Sequence, residues 1–225
     1  MKSKYDQNAD NRIFMRPTGK ISLDHRLPVK AYHDCYVKID TGQNVTKERV
    51  KKGEIVNIKP PIENLSNATF SLTPASAISD IGSSEDKQGQ LNDYNPEAAD
   101  LSLASKLRNL VFSTGDRASN TGFVSGLTFG KNNKLLETLY VGNLTNYTSD
   151  LNLEGCSSLL YLNAINSSFT GIKLADGAPT TTIMLENPTS LNLSNLAYLT
   201  DLTINNANRL SILKLNNIDT KAPHS

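Results

Sequence analysis

The chain has 225 residues and a formal net charge of +1, so its overall field gives no reason to favour a nucleic acid or an anionic membrane as partner. An apolar fraction of 38%, no tryptophan, and abundant Asn, Ser, Thr and Leu suit a thin, repetitive β fold with polar turns better than a thick helical enzyme. No run approaches membrane-spanning length, and the polar stretch from Tyr5 to Arg12 stands where a signal peptide would carry its apolar core, so neither stable membrane insertion nor ordinary secretion is expected.

In chain order, residues 1–12 read as an N-terminal extension and 13–75 as a small antiparallel β domain. Its clearest strand runs from Val29 to Asp40 in strict alternation, with Val29, Ala31, His33, Cys35, Val37 and Ile39 on the face expected to be buried. Shorter candidates are Ile13–Met15, Lys20–Leu23 and Glu54–Ile58. The basic cluster Lys47, Arg49, Lys51 and Lys52, broken by Glu48, reads as a solvated hairpin whose turn places Gly53 at positive φ. Residues 76–105 are expected to form a polar linker and a short capping helix. Asn95 would be the N-cap and Pro96 the first helical residue, with the helix reaching Lys106.

From 106 to 225 one pattern recurs, an apolar residue, an outward residue and a second apolar residue. The anchors are Leu110 and Phe112, Leu127 and Phe129, Leu139 and Val141, Leu151 and Leu153, and Leu162 and Ala164. They continue through Ile172 and Leu174, Ile183 and Leu185, Leu191 and Leu193, Leu202 and Ile204, and Leu213 and Leu215. The spacing settles at about 11 residues, and a further leucine often lies three upstream, giving L-x-x-L-x-L, the core of a leucine-rich repeat. Since a leucine-rich coil needs about 20 to 29 residues, two units make one coil of a flattened spiral and about five coils are expected. The fold class is therefore all-β, a small antiparallel domain followed by a leucine-rich-repeat-like β-solenoid with a short capping helix. Asn143, Asn166, Asn187, Asn195, Asn206 and Asn217 fall two residues after an anchor, where stacked amides could satisfy turn backbone.

Chemistry-bearing patterns are sparse. There is no phosphate loop, HExxH or CxxC, and no cofactor is implied. His33, Asp34 and Cys35 form the one reactive-looking cluster, yet alternation sends Asp34 to the face opposite His33 and Cys35, which favours ordinary packing. Cys156 reads as a small buried turn residue. The sequence thus points to a binding or structural protein and away from an enzyme.

Residues between the anchors point outward. Val111, Tyr140, Asn163, Met184 and Thr203 make one row, and Thr128, Asn152, Lys173, Asn192 and Lys214 make the other. The first is the more apolar, so Val111, Tyr140 and Met184 are candidate partner contacts. Leu213 and Leu215 join them, because the polar "NNIDTKAPHS" after the last anchors is a poor cap for a terminal coil.

The pieces "VKAYHDCYVKID", "RVKKGEIVNI", "ASAISDIG", "ASKLRNLVF" and "LTFGKNNKLLETLYVGN", followed by the repeats, resemble in this order segments of the large tail-associated virion proteins of crAss-like phages. The resemblance covers most of the chain beyond Val29. It implies a structural virion protein made in the bacterial cytoplasm and placed near the distal end of the tail, as in the muzzle. Its partners would be other virion proteins and copies of itself, not nucleic acid. Those proteins are usually far longer, which implies a cleaved or separately encoded portion. A leucine-rich surface adhesin or glycan-binding module is the alternative.

Overall fold

The computed structural model describes residues 11–17, 27–40, 44–58, 70–82, 96–112, 126–142, 149–165, 167 and 169–214. The N-terminal strands are β1 (Ile13–Pro17), β2 (Leu27–Ala31), β3 (Cys35–Asp40), β4 (Val45–Val50), β5 (Val56–Ile58), β6 (Phe70–Thr73) and β7 (Ile78–Ile81). The spiral is built from β8 (Pro96–Asp100), β9 (Asn109–Val111), β10 (Gly126–Thr128), β11 (Thr138–Tyr140), β12 (Leu151–Leu153) and β13 (Tyr161–Ala164). It continues with β14 (Gly171–Leu174), β15 (Thr182–Glu186), β16 (Ser190–Asn192), β17 (Asp201–Asn205) and β18 (Ile212–Lys214). The chain is nearly all β and its C-terminal part is a β-solenoid, as the alternating anchors require.

Three sheets result. One runs β17-β15-β13-β11-β9-β7-β2-β5, a second β10-β8-β1-β6-β3-β4, and a third β12-β14-β16-β18. Within the solenoid every pairing is parallel, with Leu110, Leu139, Leu162, Ile183 and Leu202 in one column and Leu151, Ile172 and Leu191 in another. The solenoid has about 3 turns, fewer than the five expected from counting anchors. The ladder on its second side breaks between β10 and β12, because β8 and β10 are given to the sheet that holds β1.

The capping helix expected over Pro96–Lys106 is absent. Pro96–Asp100 is strand β8, antiparallel to β1 and parallel to β10, and the residues after it form the corner of a first coil. Leu101, Ala104 and Leu107 are buried along that corner. Their three-residue spacing imitates a helical stripe, but it arises from two successive tight turns, with Ala104 N–H bonded to the Leu101 carbonyl at 2.8 Å and Leu107 N–H to Ala104 at 3.1 Å. Capping is performed by strands, as β9 pairs with β7 and β8 with β1. A single apolar core consequently runs from Ile13 to Leu196.

Other expectations change in the same direction. The alternating run from Val29 to Asp40 is broken at Tyr32–Asp34, where the chain crosses from the β2 sheet to the β3 sheet, and His33 is exposed rather than buried. Gly53 does take φ +75, yet β4 and β5 form no hairpin, since β4 pairs with β3 and β5 with β2. Within the stretch read as linker, β7 carries Ile78 and Ile81, both fully buried. The Lys20–Leu23 segment and the proposed N-cap Asn95 lie outside the described residues.

Two devices hold neighbouring coils in register. Asn133 is buried at a corner, accepting the Gly130 N–H at 2.6 Å and donating to the carbonyls of Leu101 (2.9 Å) and Ala104 (3.2 Å) in the preceding coil. Hydroxyls ahead of the strands reach back one coil, Thr181 to the Leu160 carbonyl, Thr200 to Thr181, Thr189 to Thr170 and Ser211 to Thr189. The asparagine ladder takes another form. Asn187 and Asn206 occupy the left-handed region at φ 41 and 47, which Asn tolerates better than most residues, and Asn195 bonds Asp176. Asn143, Asn166 and Asn217 lie outside the described residues.

Replacing Asn133 by Ala removes the acceptor of the Gly130 N–H and one of the two hydrogen bonds to each of the Leu101 and Ala104 carbonyls, so urea unfolding should show a loss of about 1–3 kcal/mol. Gly155 packs its α-carbon against the Gly130 carbonyl with no room for a methyl group, whereas Gly126 faces open space. Gly155→Ala should therefore cost about 1–3 kcal/mol in the same experiment, and Gly126→Ala less than about 1 kcal/mol.

Candidate interaction surface

The outward row expected from the alternation is assembled by the parallel register, which aligns Val111 with Tyr140, Tyr140 with Asn163, Asn163 with Met184 and Met184 with Thr203. Its members are not equally available. Val111 is only 6% exposed, beside the close approach of Gly82, so this residue is corrected from partner contact to packing. Asn163 is buried as well, and its Oδ1 accepts the Ile165 N–H at 3.1 Å. Tyr140 and Met184 remain half-buried.

Tyr161, which the sequence reading passed over, completes this patch. Standing one residue before the inward Leu162, it points outward, and that position was the available signal. Its hydroxyl accepts from Asn163 Nδ2 at 3.2 Å and donates to Met184 Sδ at 3.5 Å. The result is a pre-ordered strip of aromatic and thioether surface, which would lose little side-chain freedom on binding.

The opposite face is polar. Asn152 aligns with Lys173 and Asn192 with Lys214, and Lys173 lies 3.8 Å from Asp150. A shallow cavity of about 170 Å³ there is lined by Lys173, Asp176, Asn192 and Asn195 over Ile172 and Leu196. Its polar groups are largely engaged by one another, Asn195 with Asp176 and Ser194 with Asn192.

The sharpest feature is the last coil. In one column Leu110, Leu139, Leu162 and Ile183 are fully buried, whereas the next member, Leu202, is 36% exposed. In the other, Leu191 is 1% exposed and Leu213 43%, with Ile212 beside it at 51%. β17 and β18 are the end strands of their sheets. Leu213 is thus placed where a partner could reach it, while Leu215 lies outside the described residues.

The His33, Asp34 and Cys35 side chains do not converge on one point. Asp34 accepts the Lys52 N–H at 2.8 Å, and the His33 Nδ1 lies 3.3 Å from the Asp34 carbonyl oxygen. Burial, aided by the Asp34 charge, pushes the Cys35 thiol up, away from the thiolate that a nucleophile requires. Among the described residues no group of three or more His, Cys, Asp or Glu could hold a metal ion, and no helix is long and apolar enough to cross a membrane.

Burial pushes the Cys156 thiol up from 9.0 to about 12. The folded state therefore holds this proton more tightly than the unfolded chain, and the associated stability is present below pH 9 and lost as pH rises toward 12. Unfolding followed across that window should show a decline that Cys156→Ala flattens. A thiol reagent at pH 8 should label Cys156 only after denaturation, with Cys35 reacting more slowly than an unfolded cysteine. No family model, curated protein or solved structure matches the chain.

Proposed function

We propose that the chain is a structural protein of a tailed-phage virion, part of the distal tail in the manner of a muzzle component, and that its solenoid docks other virion proteins and further copies of itself. The observation that carries this is the coil of β17 and β18, whose inward Leu202 and Leu213 are 36% and 43% exposed and whose strands end their sheets among the described residues. Exposed inward leucines are unfavourable in water and suit a protein that works inside an assembly. The ordered fragments that resemble crAss-like phage tail proteins supply the kind of assembly, and the pre-ordered strip of Tyr140, Tyr161 and Met184 supplies a second contact.

A surface adhesin that binds glycans is the second reading, favoured by the half-buried Tyr140 and Tyr161 on one face, since aromatic rings can stack on sugar rings. Mass spectrometry of purified particles separates the two. The virion reading expects the chain in multiple copies per particle, located at the distal tail in a density map. Its absence from particles, together with binding of the free monomer to host glycans that Tyr140→Ala weakens, would establish the adhesin instead.

A further inference from the structure

We propose that Met184 is a site of reversible peroxide modification, at which Tyr161 and Asn163 are placed to hold the oxygen of a methionine sulfoxide. The proposal concerns the chemistry of the strip and stands apart from the virion reading and from any partner.

The hydrogen bonds of the strip carry it. Asn163 is 5% exposed, and its Oδ1 accepts the Ile165 N–H at 3.1 Å, which fixes the amide with Nδ2 turned toward Tyr161 and Met184. Nδ2 donates to the Tyr161 hydroxyl at 3.2 Å and to Met184 Sδ at 3.6 Å. Because the phenol oxygen accepts from the amide, its own O–H is left for the sulfur, which it meets at 3.5 Å. One sulfur therefore receives two donors, and one of these sits on a side chain that water scarcely reaches.

That match is unequal. A thioether is a weak acceptor, so it returns little of the hydration that the amide and the phenol have given up. A sulfoxide oxygen is a strong acceptor. Rotation about the last bonds of the adaptable methionine side chain brings that oxygen to the two donors. Oxidation thus completes a polar network that the reduced chain leaves half-satisfied, whereas in an ordinary core it would only insert a polar group.

Access and selectivity follow from the fold. Met184 is the outward residue at the middle of β15, half-buried, and its neighbour in β17 is the short, exposed Thr203. Met15 is fully buried in the core. A peroxide in solvent reaches the first sulfur and not the second. In the reaction a sulfur lone pair attacks one peroxide oxygen, and the S–O bond forms as the O–O bond breaks. The thioether is oxidised by two electrons and the peroxide reduced, while the departing oxygen takes the proton of the transferred one and leaves as water. The strip then carries a dipole where its reduced form is apolar, and methionine sulfoxide reductases can restore it.

Hydrogen peroxide treatment of the full chain in a Cys35→Ser background tests this, with the added oxygen located by peptide mass spectrometry. The expected result is conversion of Met184 in the folded chain and of Met15 only after denaturation. In NMR spectra the side-chain N–H signals of Asn163 should move downfield on oxidation and exchange more slowly with water. Thermal unfolding should show the oxidised chain melting at or above the reduced one, whereas in Tyr161→Phe the oxidised form should melt below its reduced form. Met184→Leu should remove every response to peroxide at the strip. A folded chain whose Met184 resists peroxide overturns the proposal. So do Asn163 signals that stay in place, or a loss of Tm on oxidation that is the same with and without the Tyr161 hydroxyl. Should Tyr161→Phe fail to fold, the Asn163 signals of the chain that retains Tyr161 still decide.

Discussion

Each coil of this protein depends on the one before it for a dry floor. An inward leucine such as Leu162 is shielded by Leu139 on one side and Ile183 on the other, and a single coil has too little apolar surface to exclude water alone. Parallel hydrogen bonding fixes that stack in register, and a slip of one residue would turn every anchor to solvent. The first coil has the same need, which explains why β1 and β7 continue its two sheets into the N-terminal strands.

The repeat was legible because its evidence is local. Alternation within three residues states which side chains face inward, and recurrence states that the units stack, so both outward rows could be written from the chain alone. Pairing between distant segments leaves no such mark. Leu101, Ala104 and Leu107 spell a helical interval and fold as two turns, because β1 and β10 claim the strand just before them. His33 continues an alternation that the backbone has already left. The hydroxyl contacts of Thr181, Thr189, Thr200 and Ser211 lie in positions that read as ordinary polar residues until the coils are superposed.

The candidate interaction surface was half legible for related reasons. Outward direction follows from parity, but exposure does not. Val111 and Asn163 point away from the core and are buried, while Leu202 and Ile204 point into it and the first of these is open to water. Accessibility depends on what lies beside a strand, and Gly82, far away in sequence, decides it for Val111. Tyr161 gains its significance from Asn163 and Met184 together, a contact that spans two coils.

The stacking of coils between β1 and β7 on one side and β17 and β18 on the other has a consequence for evolution of the chain. Interior coils touch only their neighbours, so coil number can change by whole repeats between β12 and β16 without altering either end. Every added coil moves the two ends apart by about 4.8 Å, the spacing of hydrogen-bonded strands. Coil number in this sense sets the distance between the strands β1 and β7 and the coil of β17 and β18.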